Sequence, residues 1–385
     1  MKTIALLGST GSIGESTLSL LKEHPGLAKV ELLTSHTQIT KLLQQIKEFN
    51  PKKAILTGNK ITKNQIDLAK SYGCDLCDET SEIFKALELE SLDTVVLAMM
   101  GAAGLPYGLK SLEQGKRLAI ANKEPLVIAG HLFKAKQLEF GGEIIPIDSE
   151  HSAIFQCLFG ESIKDVESLI LTSSGGPFHF FKDDEFNCIK AEQALKHPTW
   201  KMGQKITIDS ASMMNKGLEM LEAKWLFDQK LSKIQVTVHR QSIVHSMVEY
   251  CDGSILAQLG ITDMKFPILY ALTYPDRYPS KLPRLDFKQS MNWTFDIVNP
   301  VLNQAISLIR EVGNDPLSCI LLNAANECYV EAFLQNKVSF IGIYDHLKEV
   351  IHKGAGEQIK TNDLNHILEA DHLGRLWSQE LIDNS

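Results

Sequence analysis

The opening of the chain constrains the fold more than any other feature. An apolar, β-rich run at 3–7 leads directly into Gly-Ser-Thr-Gly-Ser-Ile-Gly, Gly8 to Gly14, and a helical period follows to about Glu23. A strand that passes through a glycine-rich turn into a helix is the first half of a βαβ unit. The alternation then repeats. A strand is expected at 29–34, followed by a helix with Ile39, Leu42, Leu43, Ile46 and Phe49 on one face, and further strands at 54–56, 94–98, 117–120 and 143–147. Strands separated by helix-length amphipathic stretches predict a parallel sheet covered on both faces, so the N-terminal part reads as a Rossmann-type α/β domain.

The rhythm changes at Asp148. Strand-like runs at 166–172, 205–208, 235–238, 245–250 and 254–259 are less regularly spaced and point to a central α+β domain. Pro275, Pro279 and Pro283 lie in a stretch of little periodicity, the composition of a linker. Beyond it, Asn299-Pro300 and Asp315-Pro316 each set a capping side chain before a proline suited to the first helical turn, and Ser339 and Asn362 are later caps, which predicts four helices. The expected division is 1–148 for dinucleotide binding, 149–274 for catalysis and dimerisation, 275–298 as linker and 299–385 as a C-terminal four-helix domain. A chain of 385 residues is long enough for two or three cores.

Composition removes several function classes. Hydrophobic residues at 44% and charged residues at 22% are ordinary globular values, and the formal charge of −8 comes without a basic tract that would mark a nucleic-acid or membrane surface. The uncharged stretch 94–109 is broken by Gly101, Gly104, Pro106 and Gly108 and is shorter than the roughly 20 residues of a spanning helix. Lys2 is followed by few apolar residues before Gly8, so no signal-peptide core is expected and the cytoplasm is the default. Seven cysteines, an odd number, fit reduced thiols. Cys74 and Cys77 form a CxxC without a second pair at zinc-site spacing and read as plain thiols.

Five segments carry the chemistry. At Gly8, Thr10, Gly11, Ser12 and Ile13 a tight turn and a helix N-terminus offer N–H groups to a pyrophosphate, against the plainer reading of a glycine turn. The second strand ends in Ser35-His36-Thr37 with no acid to read the ribose hydroxyls of NAD, which leaves room for a 2′-phosphate. Asp148-Ser149-Glu150-His151 follows a strand, and continued alternation would point Asp148 and Glu150 to one side, either as half a magnesium or manganese site or as two solvated carboxylates. Ser210 to Trp225 reads as a loop entering a helix, with Met214, Leu218, Leu221 and Trp225 as its buried face and Lys216, Glu219 and Glu222 on another. There Lys216 and Glu219 form an exposed ion pair, or Ser210, Asn215 and Lys216 hold a phosphate while Glu219 reaches a metal. Last, Ser173-Ser174-Gly175-Gly176 offers hydroxyls and flexible backbone to a phosphate, and His197-Pro198-Thr199-Trp200-Lys201-Met202-Gly203 has the composition of a lid or of a loop packed on its domain.

Taken in order, GSTGSIG, Ala121-Asn122-Lys123-Glu124, Asp148-Ser149-Glu150-His151, SSGGPF, HPTWKMG, IDSASMMNKGLE and Asn323-Ala324-Ala325-Asn326-Glu327 make the chain resemble the 1-deoxy-D-xylulose 5-phosphate reductoisomerase family over nearly its whole length. That resemblance implies an NADPH-dependent and metal-dependent homodimeric enzyme that rearranges an α-hydroxyketone phosphate to a branched aldehyde and reduces it to 2-C-methyl-D-erythritol 4-phosphate. It implies that Thr10 to Ile13, Asn122, Glu124 and Gly203 contact NADPH, and that Asp148, Glu150 and Glu219 bind Mn2+ or Mg2+. It further implies that Lys123, Ser149, Ser174, His197, Ser210, Asn215 and Lys216 bind substrate, with Trp200 covering it. Two rivals stand beside this reading: a catalytically silent dinucleotide-binding regulator, and a semialdehyde or acyl-phosphate reductase that would need an activated cysteine such as Cys157.

Overall fold

The structure, a computed structural model, describes residues 1–200 and 202–384. They form two compact units, the first comprising 1–125, 131–152 and 263–282 and the second 126–130, 153–262 and 283–385.

The first unit is built on a parallel sheet of β1 (Lys2–Leu7), β2 (Ala28–Ser35), β3 (Lys53–Leu56), β4 (Asp75–Cys77), β5 (Thr94–Leu97), β6 (Arg117–Ile120) and β7 (Glu143–Pro146). The strand order is β4-β3-β2-β1-β5-β6-β7, so the chain reverses its direction of growth at β1 and β5. In an open parallel sheet that reversal leaves a crevice beyond the carboxyl ends of the two strands, where ligands bind. Ile4, Ala5, Leu6 and Leu7 are fully buried, as a central strand covered on both faces requires. Ile4, Leu6 and Leu7 each contribute about 1.5–3 kcal/mol on burial. The helix Ile39–Phe49 follows β2 with Leu42 and Ile46 inward, as its spacing predicts. The strand β4 has no counterpart among the expected strands. It is three residues long at the sheet edge and buries Leu76 alone, too little to leave a period in the sequence.

The helix Lys265–Thr273 is part of this unit. Lys265 Nζ lies 2.6 Å from Glu23 Oε1, and the Arg117 guanidinium donates to the Tyr274 carbonyl at 2.7 Å.

The second unit holds a four-stranded sheet in the order β11-β10-β8-β9, made of β8 (Val166–Ser173), β9 (Ile234–Val238), β10 (Val244–Tyr250) and β11 (Ile255–Leu259). β8 and β9 are parallel, whereas β10 runs antiparallel to β8 and to β11. The strand expected at 205–208 is absent. Lys-Ile-Thr-Ile alternates like a strand, but the segment lies inside the helix Gln204–Ala211, where Thr207 through Ala211 are all buried. Thr207 Oγ1 donates to the Gly203 carbonyl at 2.7 Å, a back-bond available only in helical geometry.

Four helices close the chain among the described residues: Asn303–Val312, Pro316–Leu334, Gly342–Gly354 and Leu364–Asn384. Asp315 caps the second by accepting the Ser318 N–H at 2.9 Å. The last helix is capped by Asp363 rather than Asn362, with the His366 N–H at 3.0 Å from its carboxylate. None of the helices described is long and apolar enough to cross a membrane.

Candidate active site

Gly8 ends β1 with φ +92°, and a Cβ there would sit 2.4 Å from the Ala98 carbonyl oxygen beyond β5. A Cβ on Gly14 would lie 2.4 Å from the Gly8 oxygen. Only glycine therefore lets the turn close against the sheet and the helix Ser12–Glu23 start behind it. No side chain caps that helix at Gly11, so its first N–H groups face the switch point of the sheet.

The turn is pinned from β2 and from the following helix. Thr34 Oγ1 accepts the Gly8 N–H at 2.9 Å, and Gln45 exchanges two buried bonds with Ser9, at 2.6 Å to its hydroxyl and 3.0 Å from its carbonyl. Sequence reasoning passed over Gln45; a polar residue on the buried face of an amphipathic helix was the available signal. Ser35 is buried with its hydroxyl 2.8 Å from that of Thr10, so it ties β2 to the turn. His36 is exposed and its Nδ1 lies 3.1 Å from Thr57 Oγ1. Lys41, also missed, reaches the Thr10 carbonyl at 3.4 Å and pairs with Glu15 at 2.6 Å, which puts a cation beside the turn.

At the carboxyl ends of the neighbouring strands β6 and β7 the first unit brings Lys123 to Asp148, with Nζ 2.6 Å from Oδ2. Asn122 and Glu124 flank Lys123, which is itself buried. Asp148 and Glu150 do not alternate along a strand as expected. β7 stops at Pro146, and Ser149–Cys157 is a helix whose first turn contains Glu150, with the Ser149 hydroxyl donating to Glu150 Oε2 at 2.7 Å. A strand end running straight into a helix N-terminus presents both carboxylates at the sheet's carboxyl edge by another route.

The second unit assembles a separate polar cluster. Ser174 Oγ and Ser210 Oγ each lie 3.1 Å from His197 Nε2. On the other side of the ring, Nδ1 accepts the N–H groups of Thr199 at 3.2 Å and Trp200 at 2.9 Å. Two backbone donors on Nδ1 leave its lone pair occupied, so the proton of the neutral ring sits on Nε2, facing the two hydroxyls. Burial depresses the imidazole to about 4. The result is a neutral N–H donor between two hydroxyls. Gly175 and Gly176, at φ +74° and +61°, let the loop fold onto the helix end, and a Cβ on Gly176 would be 3.0 Å from the Ser210 carbonyl. Trp200 is half-buried, Gly203 starts the helix Gln204–Ala211 in this same unit, and Lys201 of the loop lies outside the described residues.

The helix Met214–Leu226 departs from the expected one-sided pattern. Lys216, Glu219 and Glu222 are buried together with Leu218 and Leu221, so the Lys216–Glu219 pair is not a solvated surface bridge. The Lys216 ammonium bonds Glu219, whose other oxygen accepts from Asn215 Nδ2. Apolar spacing alone could not distinguish a solvent face from a polar face sealed by neighbouring elements. Buried charge of this kind is retained where it is paired and hydrogen-bonded.

Cys157, the thiol a Cys-dependent reductase would need, is not activated. Cys157 is buried and burial pushes it up to about 11; Cys74 is pushed up to about 12. An activated cysteine requires the opposite shift.

Comparison with known proteins places the chain in a family. A family described as 1-deoxy-D-xylulose 5-phosphate reductoisomerase matches residues 4–130, that enzyme's C-terminal domain matches 144–227, and a DXP reductoisomerase C-terminal domain matches 259–377. The 1-deoxy-D-xylulose 5-phosphate reductoisomerase of Bacteroides fragilis is 41% identical over 385 aligned residues, covering 99% of this chain and 98% of its own. The enzyme of the same name from Chlorobium phaeobacteroides is 42% identical and covers 100% of both chains. Among solved structures, a DOX-P reductoisomerase in complex with NADPH, fosmidomycin and magnesium is 37% identical, with a TM-score of 0.90 over 100% of this chain and 98% of that one. With identity at this level along its full length, the chain belongs to the 1-deoxy-D-xylulose 5-phosphate reductoisomerase family.

Proposed function

We propose that this protein converts 1-deoxy-D-xylulose 5-phosphate and NADPH to 2-C-methyl-D-erythritol 4-phosphate in a reaction that needs a divalent metal, Mg2+ or Mn2+. The observation that carries the reading is the neutral His197 Nε2–H held 3.1 Å from both Ser174 and Ser210. Hydroxyls and an uncharged N–H suit a phosphate dianion, and Asn215 and Lys216 at the head of the next helix extend the same donor set.

The residues fit both cofactors. Three carboxylates, Asp148, Glu150 and Glu219, are hard oxygen donors of the kind magnesium and manganese take, and we assign them as the metal ligands. The cradle that a Cβ on Gly8 or Gly14 would fill, with the uncapped helix start behind it, fits a pyrophosphate. Gly8, Thr10, Gly11, Ser12, Ile13, Asn122, Glu124 and Gly203 are the proposed NADPH contacts, with Ser35 and His36 bordering the 2′-phosphate.

When bound, the metal polarises the ketone and hydroxyl oxygens of the substrate and NADPH supplies the hydride. The chain's own groups do the rest. Lys123, with its Nζ 2.6 Å from Asp148 Oδ2, orients that carboxylate. Lys216 does the same for Glu219, and we assign its ammonium to the phosphate as well. The Ser149 hydroxyl orients Glu150. Anchoring the phosphate holds the two carbon fragments of the rearrangement in register, and Trp200 over the sugar excludes water.

The proposed functional division is 1–148 for NADPH, 149–274 for catalysis and dimerisation, 275–298 as linker and 299–385 as a helical support. We place the protein in the cytoplasm as a homodimer. Ile255 and Leu256, exposed on the edge strand β11, support a self-pairing surface. The test of function is direct. Protein mixed with the sugar phosphate, NADPH and manganese or magnesium should consume the nicotinamide absorbance only when all three are present. Consumption without the sugar phosphate, or none at all, would overturn the proposal.

A further inference from the structure

Two side chains from the C-terminal helices reach the junction between the helices Gln204–Ala211 and Met214–Leu226. Tyr344, fully buried, donates its hydroxyl to the Ser212 carbonyl at 2.7 Å. Asn326, also fully buried, donates Nδ2 to Asp209 Oδ1 at 2.8 Å, and the Lys205 ammonium takes Asp209 Oδ2 at 2.8 Å. These two bonds bracket Ser210. The junction they hold ends in Met213 at φ +59°, a left-handed conformation that a side-chain-bearing residue keeps only where its surroundings impose it. Gly176 packs on the Ser210 carbonyl and on Ala211, so the loop carrying Ser174 rests on the same junction.

The chemistry of each contact is specific. A phenylalanine would fill the space of Tyr344 equally well, so its hydroxyl contributes through the bond it donates to a helix-end carbonyl that has no partner within its own helix. Asn326 supplies a directed amide donor to a carboxylate that is almost completely enclosed, and a carboxylate so placed turns toward whichever donors remain to it.

We propose that Asn326 and Tyr344 are positioning residues for the substrate phosphate. They fix 209–213 so that Ser210, and Asn215 and Lys216 one turn further on, stand at the distances the phosphate requires. The proposal rests on the assignment of Ser210 to the phosphate made above.

The experiment uses the full-length enzyme. Tyr344→Phe and Asn326→Leu should each raise KM for 1-deoxy-D-xylulose 5-phosphate by about 3- to 10-fold while KM for NADPH stays within about twofold, the pattern of lost substrate binding. Tyr329→Phe, which removes another buried phenol of the same helical bundle, should leave both constants unchanged whatever it does to Tm. In a Ser210→Ala background the effect of Tyr344→Phe on KM should shrink to the part carried by Asn215 and Lys216, because neighbours that act through a shared group are not additive; a fully additive effect would overturn the positioning of Ser210. If Ser210→Ala raises KM and the two distal variants do not, the positioning role is wrong and the Ser210 assignment stands. An unchanged KM in Ser210→Ala overturns both. Should Asn326→Leu fail to fold, Tyr344→Phe keeps the ring and decides the matter alone.

Discussion

His197 offers the sharpest test of the phosphate site, because its protonation state follows from geometry. Its Nδ1 lone pair receives two backbone N–H groups, so Nε2 carries the only ring proton and points it at the Ser174 and Ser210 hydroxyls. Protonating Nδ1 would turn an acceptor into a third donor facing two donors, which reinforces the burial that already holds the imidazole to about 4. The ring therefore binds phosphate as a neutral donor throughout the range from about pH 5.5 to about pH 8, although an unperturbed histidine titrates near ~6.5. Removing the donor with His197→Ala loses one hydrogen bond to a charged group, about 1.5–3 kcal/mol, or roughly 10- to 150-fold in substrate affinity. The assay is KM for the sugar phosphate in wild type and His197→Ala across that range. Taking the ratio of the two cancels the ionisation of the substrate itself. A flat ratio is expected. A ratio that grows as pH falls through ~6.5 would mean that a charged imidazole binds the phosphate, and the tautomer argument would be refuted. Stability carries the matching sign. The folded-state value lies below the ordinary one, so the contribution of this ring is complete above ~6.5 and is lost as pH falls toward about 4.

Three further outcomes follow from the same site. Glu150→Gln should abolish turnover while leaving NADPH binding, followed by quenching of protein fluorescence, within about twofold, since only a metal ligand is lost; metal-dependent activity at the wild-type level would remove Glu150 from the ligand set. Lys216→Ala should weaken the sugar phosphate by about 1.5–3 kcal/mol in KM, and because the Lys216–Glu219 pair is buried it should also lower Tm by several degrees, read by scanning calorimetry. If only Tm moves, the lysine is a structural partner of Glu219 alone. At the cofactor end, His36→Gln should lower the NADPH-to-NADH ratio of kcat/KM, because the ring borders the proposed 2′-phosphate position; a ratio unchanged by the substitution points instead to Lys41, the cation beside Thr10.

Much of this protein is decided by its sequence. The apolar, β-rich runs at 3–7 and 29–34, each followed by a helical period, commit the first unit to a parallel sheet, since apolar strands with intervening amphipathic helices bury themselves by covering the sheet on both faces. Gly14 is a local necessity, set by a 2.4 Å approach to the Gly8 oxygen that tolerates no Cβ, whereas the same closeness at Gly8 is to the Ala98 carbonyl beyond β5. The caps before the C-terminal helices are equally local, and Asp315 does what its spacing announces. Where the meaning of a residue depended on what lies across space, local pattern was insufficient. Lys-Ile-Thr-Ile at 205–208 alternates like a strand, yet it lies inside the helix Gln204–Ala211, which is buried from Thr207 onward. Glu150 shares an edge with Asp148 through a strand-to-helix turn rather than through alternation. Lys216 and Glu219 have the spacing of a solvated ion pair, and only the packing around their helix turns them into a buried one. The same reason hid Gln45, Asn326 and Tyr344. A polar group on an apolar helix face has no local partner to betray its purpose, and the atom it serves, a serine in a glycine turn or a carbonyl at a distant helix end, is brought to it by the tertiary structure alone.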